Sequence, residues 1–531
     1  MLRRSRAVEA SEMYDVVVVG FGPAGEVAAS TLGAAGHKVV VLERQCELYP
    51  LPRMVTFDGE ACRTVQATGE SIDDALSTAV VLNYCAFGDA DADPMLVLDW
   101  RGEQGGFRAH YSIFQPDVEK TLRAKVATMD NVEVVFGTEA LGLVQHADHV
   151  EVTVQPKGST VSSEQTVLKA RYVIGADGTN SLIREAAGLE MHDFGLHERW
   201  LNFDMNVIAP LPEQFEKVIM IMDPKRPHMY MPLGTERQRF EMRVHEDESD
   251  EQMQEPEVAW GFLKETHGLD ESVMSICRQV VYHYYTRVAA QWRKGRVFIA
   301  GDAAHTMTPY LGQGGCSAIR DGRNLAWKLD FVLRGIAENE LLDTYEAERA
   351  PHVSTLVHTS HALAELVNII DNEAAEQRNY ALRNNLAPPP PAFPKLEHGV
   401  VQLEDDGSVA DRNGVLAPQG VLRKGDQEGR GDDVLGHGFQ LISRNTPALN
   451  DVQRRILSQI DCSIGVIGDP TSPDAVTDVA GVYGTFLDAQ GVDAYIMRPD
   501  WYVFGAVGGD AVGDLVSELG ALLHLNALTN A

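Results

Sequence analysis

Residues 16–43 read VVVVGFGPAGEVAASTLGAAGHKVVVLE, and this stretch limits the possible folds more than any other in the chain. Val16–Val19 form an apolar run of the kind buried on both faces of a parallel sheet. The run ends in Gly20-Phe21-Gly22-Pro23-Ala24-Gly25. Helix-forming residues follow to Ala35, and Gly36 precedes a second apolar run, Val39–Leu42, that ends in Glu43. Strand, glycine turn, helix, strand and acid in that order make a dinucleotide-binding βαβ unit. Gly20 allows the tight turn, Gly22 lets the backbone approach a pyrophosphate, and Gly25 lets helix and strand pack closely. Pro23 and Ala24 complete the same candidate binding loop, at a helix N-terminus whose free N–H groups favour an anion. Glu43 is placed to accept hydrogen bonds from a ribose.

At 531 residues the chain has room for two or three domains. A net charge of −32 argues against nucleic acid as a partner, because nothing neutralises phosphates in bulk. No run approaches the ~20 apolar residues of a membrane span. Residues 1–13 carry three arginines without an apolar stretch, which reads as a frayed tail and not as a secretory signal. Six cysteines, Cys46, Cys62, Cys85, Cys277, Cys316 and Cys462, are scattered and never form CxxC. No zinc site or redox pair is expected from them, no metal is expected at all, and a reducing cytoplasm fits.

Nucleotide-binding pattern runs over 14–199 and resumes over 291–385. Between them, 200–290 is strand-rich, with candidates at Leu201–Ile208, Val218–Met222, His228–Met231, Arg239–Val244 and Val280–Val288. Such a block inside an α/β chain predicts a second domain that covers the cofactor with a sheet. Helices are predicted at Asp58–Ala67, up to Ala127 from the Ser112–Asp117 segment, at Ser317–Leu333 and at Leu341–Ile370. Residues 71–112 read as mixed strand and loop. Val150–Val154 and Thr166–Lys169 read as a hairpin, followed by a separate strand Tyr172–Ile174. Residues 386–397 include Pro388–Pro391 and predict a semi-rigid extended linker to a small domain at 398–531.

Three separated segments each end a strand in glycine and an acid: Gly20–Glu43, Gly175–Arg184 and Gly295–Gly315. A single NAD site needs only the first. A larger, bent dinucleotide such as FAD also needs an acid on its ribityl chain and a glycine loop beside the isoalloxazine ring. In order and spacing, the three segments resemble those of the single-component FAD-dependent aromatic hydroxylases, the group typified by para-hydroxybenzoate hydroxylase. The resemblance covers roughly Tyr14–Val353. Thr308–Cys316 and Asp321–Leu329 are most similar to 3-(3-hydroxyphenyl)propionate hydroxylase and its relatives. The C-terminal block resembles the thioredoxin-like appendage of that subgroup, which has also lost its cysteine pair. The implied fold is α/β: a Rossmann-like FAD-binding domain, an inserted β-sheet substrate domain and a C-terminal thioredoxin-like domain lacking CxxC.

Carried over residue by residue, the resemblance implies that Glu43 binds the adenosine ribose and that Arg44 and Gln115 lie along the FAD. It puts Arg53 near the flavin, Asp302, after Gly301, on the ribityl chain, and Asp177 in a segment serving FAD and NAD(P)H. Pro309, Gly312, Gln313, Gly314 and Gly315 would line the flavin ring. Ser181 and Arg184 would hold the Asp177 segment in shape. The implied reaction is hydroxylation of a phenolic ring, for example a meta-substituted phenol like 3-(3-hydroxyphenyl)propionate. It uses dioxygen and NADH or NADPH, by way of a flavin hydroperoxide that must be shielded from water. A base near the substrate hydroxyl helps, since a phenolate ring is the better nucleophile. Asp58 is the candidate base, because Phe57–Thr64 resembles the phenol hydroxylase segment carrying such an aspartate; the same residue also suits a helix N-cap. His305 reads as structural. Tyr230, Arg239 and Tyr284 could line the pocket from the covering sheet. By analogy with relatives a homodimer is allowed. Met54–Phe57 and Gly322-Arg323 depart from the subgroup and put the substrate in question. A larger polycyclic or heteroaromatic phenol is the alternative substrate. A halogenase, a dehydrogenase on the same scaffold and a flavoprotein serving as an assembly subunit are the other readings.

Overall fold

The computed structural model describes residues 13–47, 52–161, 164–389 and 391–525. Residues 1–12 and the Tyr49-Pro50-Leu51 stretch before Pro52 therefore lie outside the described residues.

The valine runs become the middle of an eight-stranded sheet. Met13–Val19 lies between Val39–Glu43 and Thr166–Gly175, parallel to both, and Val132–Phe136 extends the parallel set beyond Val39–Glu43. Thr166–Gly175 is one continuous strand, where the sequence reads as two. Its first half pairs antiparallel with Val150–Pro156, and its second half pairs parallel with Val297–Ile299. The chain thus brings the carboxyl ends of Met13–Val19, Thr166–Gly175 and Val297–Ile299 to one edge, the place where open α/β sheets bind ligands. Thr138–Gln145, not foreseen from the sequence, closes the far edge as a hairpin with Val150–Pro156.

A second sheet has the order His305–Thr306, Met274–Ala289, Met191–Val207, Arg237–Arg243, His228–Leu233, Val218–Ile221, Tyr84–Gly88, Pro94–Asp99. It begins nine residues before Trp200 and takes two strands from the 71–112 region. Strand alternation gives it two unlike faces. Leu201, Phe203, Tyr230, Phe240 and Met242 form an apolar core with Ala259 and Leu263 of the helical stretch behind. The opposite face carries Glu198, Asn202, Asp204, Arg239, Glu241 and Arg278, all buried, and is turned toward the first domain.

C-terminal to the prolines is a four-stranded sheet in the order Ser463–Val466, Gln440–Ser443, Ala494–Met497, Val503–Val507. The first pair is parallel and the others antiparallel. Helices Asp451–Gln459, Val482–Gln490 and Val512–Leu522 connect and cover it. This domain is docked and not tethered. Its Phe439, Leu441, Ile496 and Phe504 share a core with Trp327 and Phe331 of the helix Gly314–Leu333. The linker itself is exposed at Pro388, Pro389 and Pro391 and is anchored at its end, where Leu396 is buried and the Phe393 ring meets His352 edge-on at 5.7 Å.

Candidate active site

The groove at the carboxyl edge is built first by glycines. Gly20 has φ +102°, and a Cβ there would lie 2.2 Å from the Ala176 carbonyl oxygen; a Cβ on Gly25 would lie 2.1 Å from the Gly20 oxygen. Neither position tolerates a side chain, so the turn and the helix Pro23–Ala34 sit tightly on the two central strands. Gly22 is different: nothing lies within 4 Å of where its Cβ would be. It is the N-cap of a helix without a side-chain cap, so the first N–H groups face open space suited to a diphosphate. Glu43 spans the loop, accepting from Phe21 N at 3.1 Å and from Gln45 N at 2.7 Å, one bond to each carboxylate oxygen. Each oxygen keeps a second lone pair, and Arg44 is exposed beside it.

Asp302 stands further along, between Gly301 (φ +61°) and the buried Ala303. It opens onto the groove yet is surrounded by protein, and this withdrawal from bulk water raises its pKa, against the pull of His305 and Arg53. Asp177 is committed to its own segment. It accepts from the Ser181 hydroxyl and from Ile183 N at 3.1 Å, which makes it a cap for the helix Leu182–Ala187. Arg184 then ties that segment to the Asp302 turn by donating to Thr179 O and Ala303 O at 3.1 and 3.0 Å. Gln115 is also spent internally. Its Oε1 accepts from Arg53 N and Met54 N, both 2.7 Å, and its Nε2 donates to Glu119 at 2.6 Å. With Arg239 and Arg278 donating to Pro52 O and Arg239 to Arg53 O from the other domain, the loop that presents Arg53 is held on both sides.

Pro309–Leu311 make one tight turn, Gly312 follows at φ +65°, and Gln313 occupies the N-cap position of the helix Gly314–Leu333 without its side chain bonding the helix end. Thr56 Oγ1 donates to Gly312 O at 2.8 Å, and a Cβ on Gly312 would meet that hydroxyl at 2.2 Å. The Gly314–Gly315 end of the helix has no side-chain cap and is half-exposed against Met54, so its N–H groups and dipole favour negative charge there. His305 does not face this groove. It is 1% exposed and bonded through Nε2 to Asp321, which also accepts from Gly301 N and Arg349.

A family model described as an FAD binding domain matches residues 13–360, and a second, the HcaD C-terminal domain, matches 414–522. The chain is 32% identical over 501 residues to a probable NADH-specific resorcinol 4-hydroxylase of Rhodococcus jostii (strain RHA1), covering 92% of this chain and 91% of that one. It is 31% identical to a 3-(3-hydroxy-phenyl)propionate/3-hydroxycinnamic acid hydroxylase of Mycolicibacterium gilvum (strain PYR-GCK), covering 97% and 92%. The chain belongs to the FAD-dependent aromatic hydroxylases. Similar folds include the flavin-dependent monooxygenase PieE, solved with FAD and substrate, at TM-score 0.79 and 20% identity over 97% of this chain and 99% of that one. Aklavinone-11 hydroxylase, solved with FAD and aklavinone, superposes at 0.73 with 22% identity over 96% and 99%.

The residues present fit FAD. The open Gly22 approach, the uncapped helix ends at Gly22 and Gln313, and the solvent-facing Asp302 between them follow the outline of a long anionic dinucleotide. In this hydroxylase the face opposite the flavin loop is the polar face of the second sheet, and strand register arranges its charges. Asp204 is paired with Arg239 on one side and Arg278 on the other. Arg239 grips it with two bonds of 2.6 and 2.9 Å. That commitment leaves Glu241, 3.6 Å from the Arg239 guanidinium, without a hydrogen bond from it. Burial therefore pushes the Glu241 carboxyl up to about 7, with Arg239 offsetting only part. Asn202 Nδ2 donates to Glu241 and to the Tyr284 hydroxyl, both at 2.9 Å, so the Tyr284 proton is left to point elsewhere. Tyr230, considered for the pocket from the sequence, lies on the other face against Phe215 and Phe240. Asn202, Asp204, Glu241 and Arg278 were missed. Their signal was present as polar residues at every second position in strands otherwise apolar, a pattern that also describes a solvated face.

A folded pKa raised above the unfolded value of about 4.3 means that protonated Glu241 contributes stability fully below about pH 4. The contribution, on the order of 3 kcal/mol, is lost as pH rises through about 7. Glu241→Gln keeps an acceptor for Asn202 and removes the titration. Urea unfolding at about pH 5 and about pH 8 should show the wild type losing stability relative to the variant at the higher pH. Parallel behaviour of the two proteins would place the titration elsewhere.

Asp58 lies at the N-cap of the helix Gly59–Thr68, accepting from Ala61 N at 2.8 Å, and its other oxygen pairs with Arg320. It is 1% exposed. Burial pushes the carboxyl up, but the Arg320 guanidinium more than reverses this and holds it below the usual range. Arg320 also donates to Glu60 at 2.6 Å and to Gln313 Oε1 at 3.0 Å, which links the Asp58 helix to the flavin loop. The two departures from the subgroup are also placed. A Cβ on Gly315 would lie 2.2 Å from Met54 Sδ, so Met54 packs on the flavin loop. Gly322 lets the two glycine-led helices touch at Ala24 O, and Arg323 turns to the C-terminal domain, donating to Pro499 O at 2.9 Å and His437 O at 2.8 Å. Among the described residues no helix is long and apolar enough to cross a membrane.

Proposed function

We propose that this flavoenzyme hydroxylates a small, meta-substituted phenol, with NADH as reductant. The observation that carries the reading is near full-length similarity to two hydroxylases whose names both specify a phenol substituted at the meta position. The polar sheet face supports it: Tyr284 keeps a hydroxyl proton and Asn202 an unpartnered carbonyl oxygen, a donor and an acceptor that suit a hydroxyl substituent. The diol named for the 32% identical relative is the leading candidate of the two.

Overall, one ring C–H becomes C–OH while dioxygen, NADH and a proton give water and NAD⁺. Hydride acceptance from the nicotinamide and delivery of one oxygen atom of dioxygen to the ring are the chemistry that FAD, held at Gly22, Glu43 and Asp302, would supply. The protein's own part is binding, exclusion and proton management. Gly22 and the Gly314–Gly315 helix end hold negative charge, Glu43 and Asp302 accept from hydroxyls, and the second sheet keeps water out. Tyr284, whose oxygen already accepts from Asn202, keeps its own proton to orient the substrate hydroxyl. Glu241, bonded to the same Asn202 and titrating near 7, is the nearby carboxylate that would take up the proton the substrate loses. Asp58 holds Arg320, and through it Gln313, in place. The C-terminal βαβαββα order is read as thioredoxin-like, serving as a clamp on the flavin-loop helix.

Asp58→Asn separates that anchoring role from direct action on substrate. Asn still caps the helix but leaves Arg320 with one anion fewer, so a loss of roughly 1–3 kcal/mol in stability is expected with product formation kept. Normal flavin reduction with product formation lost would instead make Asp58 the base. The function itself is tested by NADH and NADPH oxidation in air with resorcinol and with 3-(3-hydroxyphenyl)propionate, scoring ring-hydroxylated product. Resorcinol-stimulated NADH oxidation yielding a trihydroxybenzene is expected. A yellow protein that ignores both phenols would sink the substrate class and favour a larger ring system.

A further inference from the structure

The hairpin that closes the edge of the first sheet carries a cluster unrelated to the flavin groove. Its strands, Thr138–Gln145 and Val150–Pro156, pair Gln145 with Val150 and Val144 with Glu151, and His146 N donates to His149 O at 2.8 Å across the turn. With that register, alternation sends the side chains of His146, His149 and Glu151 to one face. One nitrogen of each ring and one carboxylate oxygen all lie within 4.8 Å of one another. The imidazoles stack at 4.4 Å with an interplanar angle of 14°. His146 Nε2 is 3.5 Å from one Glu151 oxygen and His149 Nε2 is 3.7 Å from the other.

We propose that His146, His149 and Glu151 form a binding site for a borderline divalent cation of the Zn²⁺ type. Two imidazole nitrogens and one carboxylate oxygen are the donors such an ion takes, and hard ions such as Mg²⁺ and Ca²⁺ avoid this set. The site is oriented before the ion arrives. His149 Nδ1 is bonded to the Asp148 carboxylate at 2.8 Å, the second contact that fixes a metal-binding histidine with its other nitrogen free to coordinate. That other nitrogen, Nε2, is out of solvent and has no hydrogen-bond partner. Arg296 pins the turn by donating to Ala147 O at 2.9 and 3.1 Å. Bonds of about 2.1 Å at tetrahedral angles put ligand atoms roughly 3.4 Å apart, so atoms that lie within 4.8 Å of one another need close by about 1.4 Å at most. Lys169, whose Nζ is 3.1 Å from Glu151 Oε1, is the cation that the metal would displace. A water completes four-coordination, and the ion would staple the hairpin at the sheet edge.

The test is calorimetric titration of the FAD-loaded full chain with Zn²⁺, and with Mg²⁺ in parallel. One equivalent of Zn²⁺ is expected to bind in the micromolar range, with no Mg²⁺ signal. His149→Ala should abolish that phase, and Asp148→Ala should weaken it about tenfold or more by freeing the ring. His283→Ala serves as control, because His283, His197 and Asp250 make another exposed cluster at which Zn²⁺ could bind without a built site. Zn²⁺ should also raise the unfolding temperature of the wild type and not of His149→Ala. A wild type that binds no Zn²⁺ in this range, or Zn²⁺ binding that survives His149→Ala and disappears in His283→Ala, overturns the proposal. Neither readout depends on turnover, so failure here leaves the proposed hydroxylation untouched.

Discussion

Asp302→Ala yields a protein that folds but purifies nearly colourless. The carboxylate faces the groove, and a charged acceptor for a sugar-alcohol hydroxyl is worth about 1.5–3 kcal/mol, a roughly ten- to hundredfold change in affinity. Its position also predicts what will not change. Protein around Asp302 raises its pKa, so the carboxylate is an unfavourable charge in the folded chain and its removal should not weaken the scaffold. Visible flavin absorbance per mole of protein, read beside the unfolding temperature of both apoproteins, separates the two effects. Full yellow occupancy in the variant would remove Asp302 from the cofactor site.

Glu348→Ala should cost about 3–5 kcal/mol, the range for removing one partner of a buried ion network. Glu348 is 2% exposed and binds Arg498 at 2.6 and 3.0 Å, Lys328 at 2.7 Å and Asn324 at 2.7 Å. Arg498 belongs to the C-terminal domain, while Lys328 and Asn324 stand on the flavin-loop helix. Asp500 fastens the same joint, accepting from Asn324 at 2.7 Å and Trp327 at 3.1 Å. Alanine therefore leaves cations buried in the interface, and FAD release should accompany its loosening. Burial would push the Glu348 carboxyl up, but Arg498 and Lys328 hold it well below its ordinary value. Its stabilisation is present above the unfolded pKa of about 4.3 and is lost as pH falls through the depressed folded one. Denaturation followed by tryptophan fluorescence and flavin release measures both consequences. A loss under about 1 kcal/mol would mean that the apolar contact of Trp327 and Phe331 with Phe439 carries the docking alone.

How much of this was legible from the chain follows from the range of the interactions. Val16–Glu43 declared itself because every requirement of the βαβ turn is local: φ +102° at Gly20, close contact at Gly25, an open N-cap at Gly22. The hairpin of Val150–Val154 with Thr166–Lys169 and the Asp58 cap were likewise readable, since period and capping depend on neighbours a few residues away. The covering sheet was legible as strands but not as two faces. Asn202 and Asp204 alternate with apolar residues whether the polar side meets water or Arg239 and Arg278, and only the fold supplies those partners, up to 74 residues away. Thr166–Gly175 read as two strands because its halves pair with different partners, one of them more than a hundred residues later.

Sequence by itself determined the cofactor class and the α/β scaffold, because a phosphate-binding turn is specified by backbone sterics that only glycine in fixed positions can meet. Tertiary structure alone decided which charges are matched. It assigned Arg320 to Asp58 and Glu60, Arg323 to the C-terminal domain, and left Glu241 without a hydrogen bond from Arg239. A buried charge is priced by what stands within a few ångströms of it, and those neighbours are brought from distant parts of the chain only when it folds.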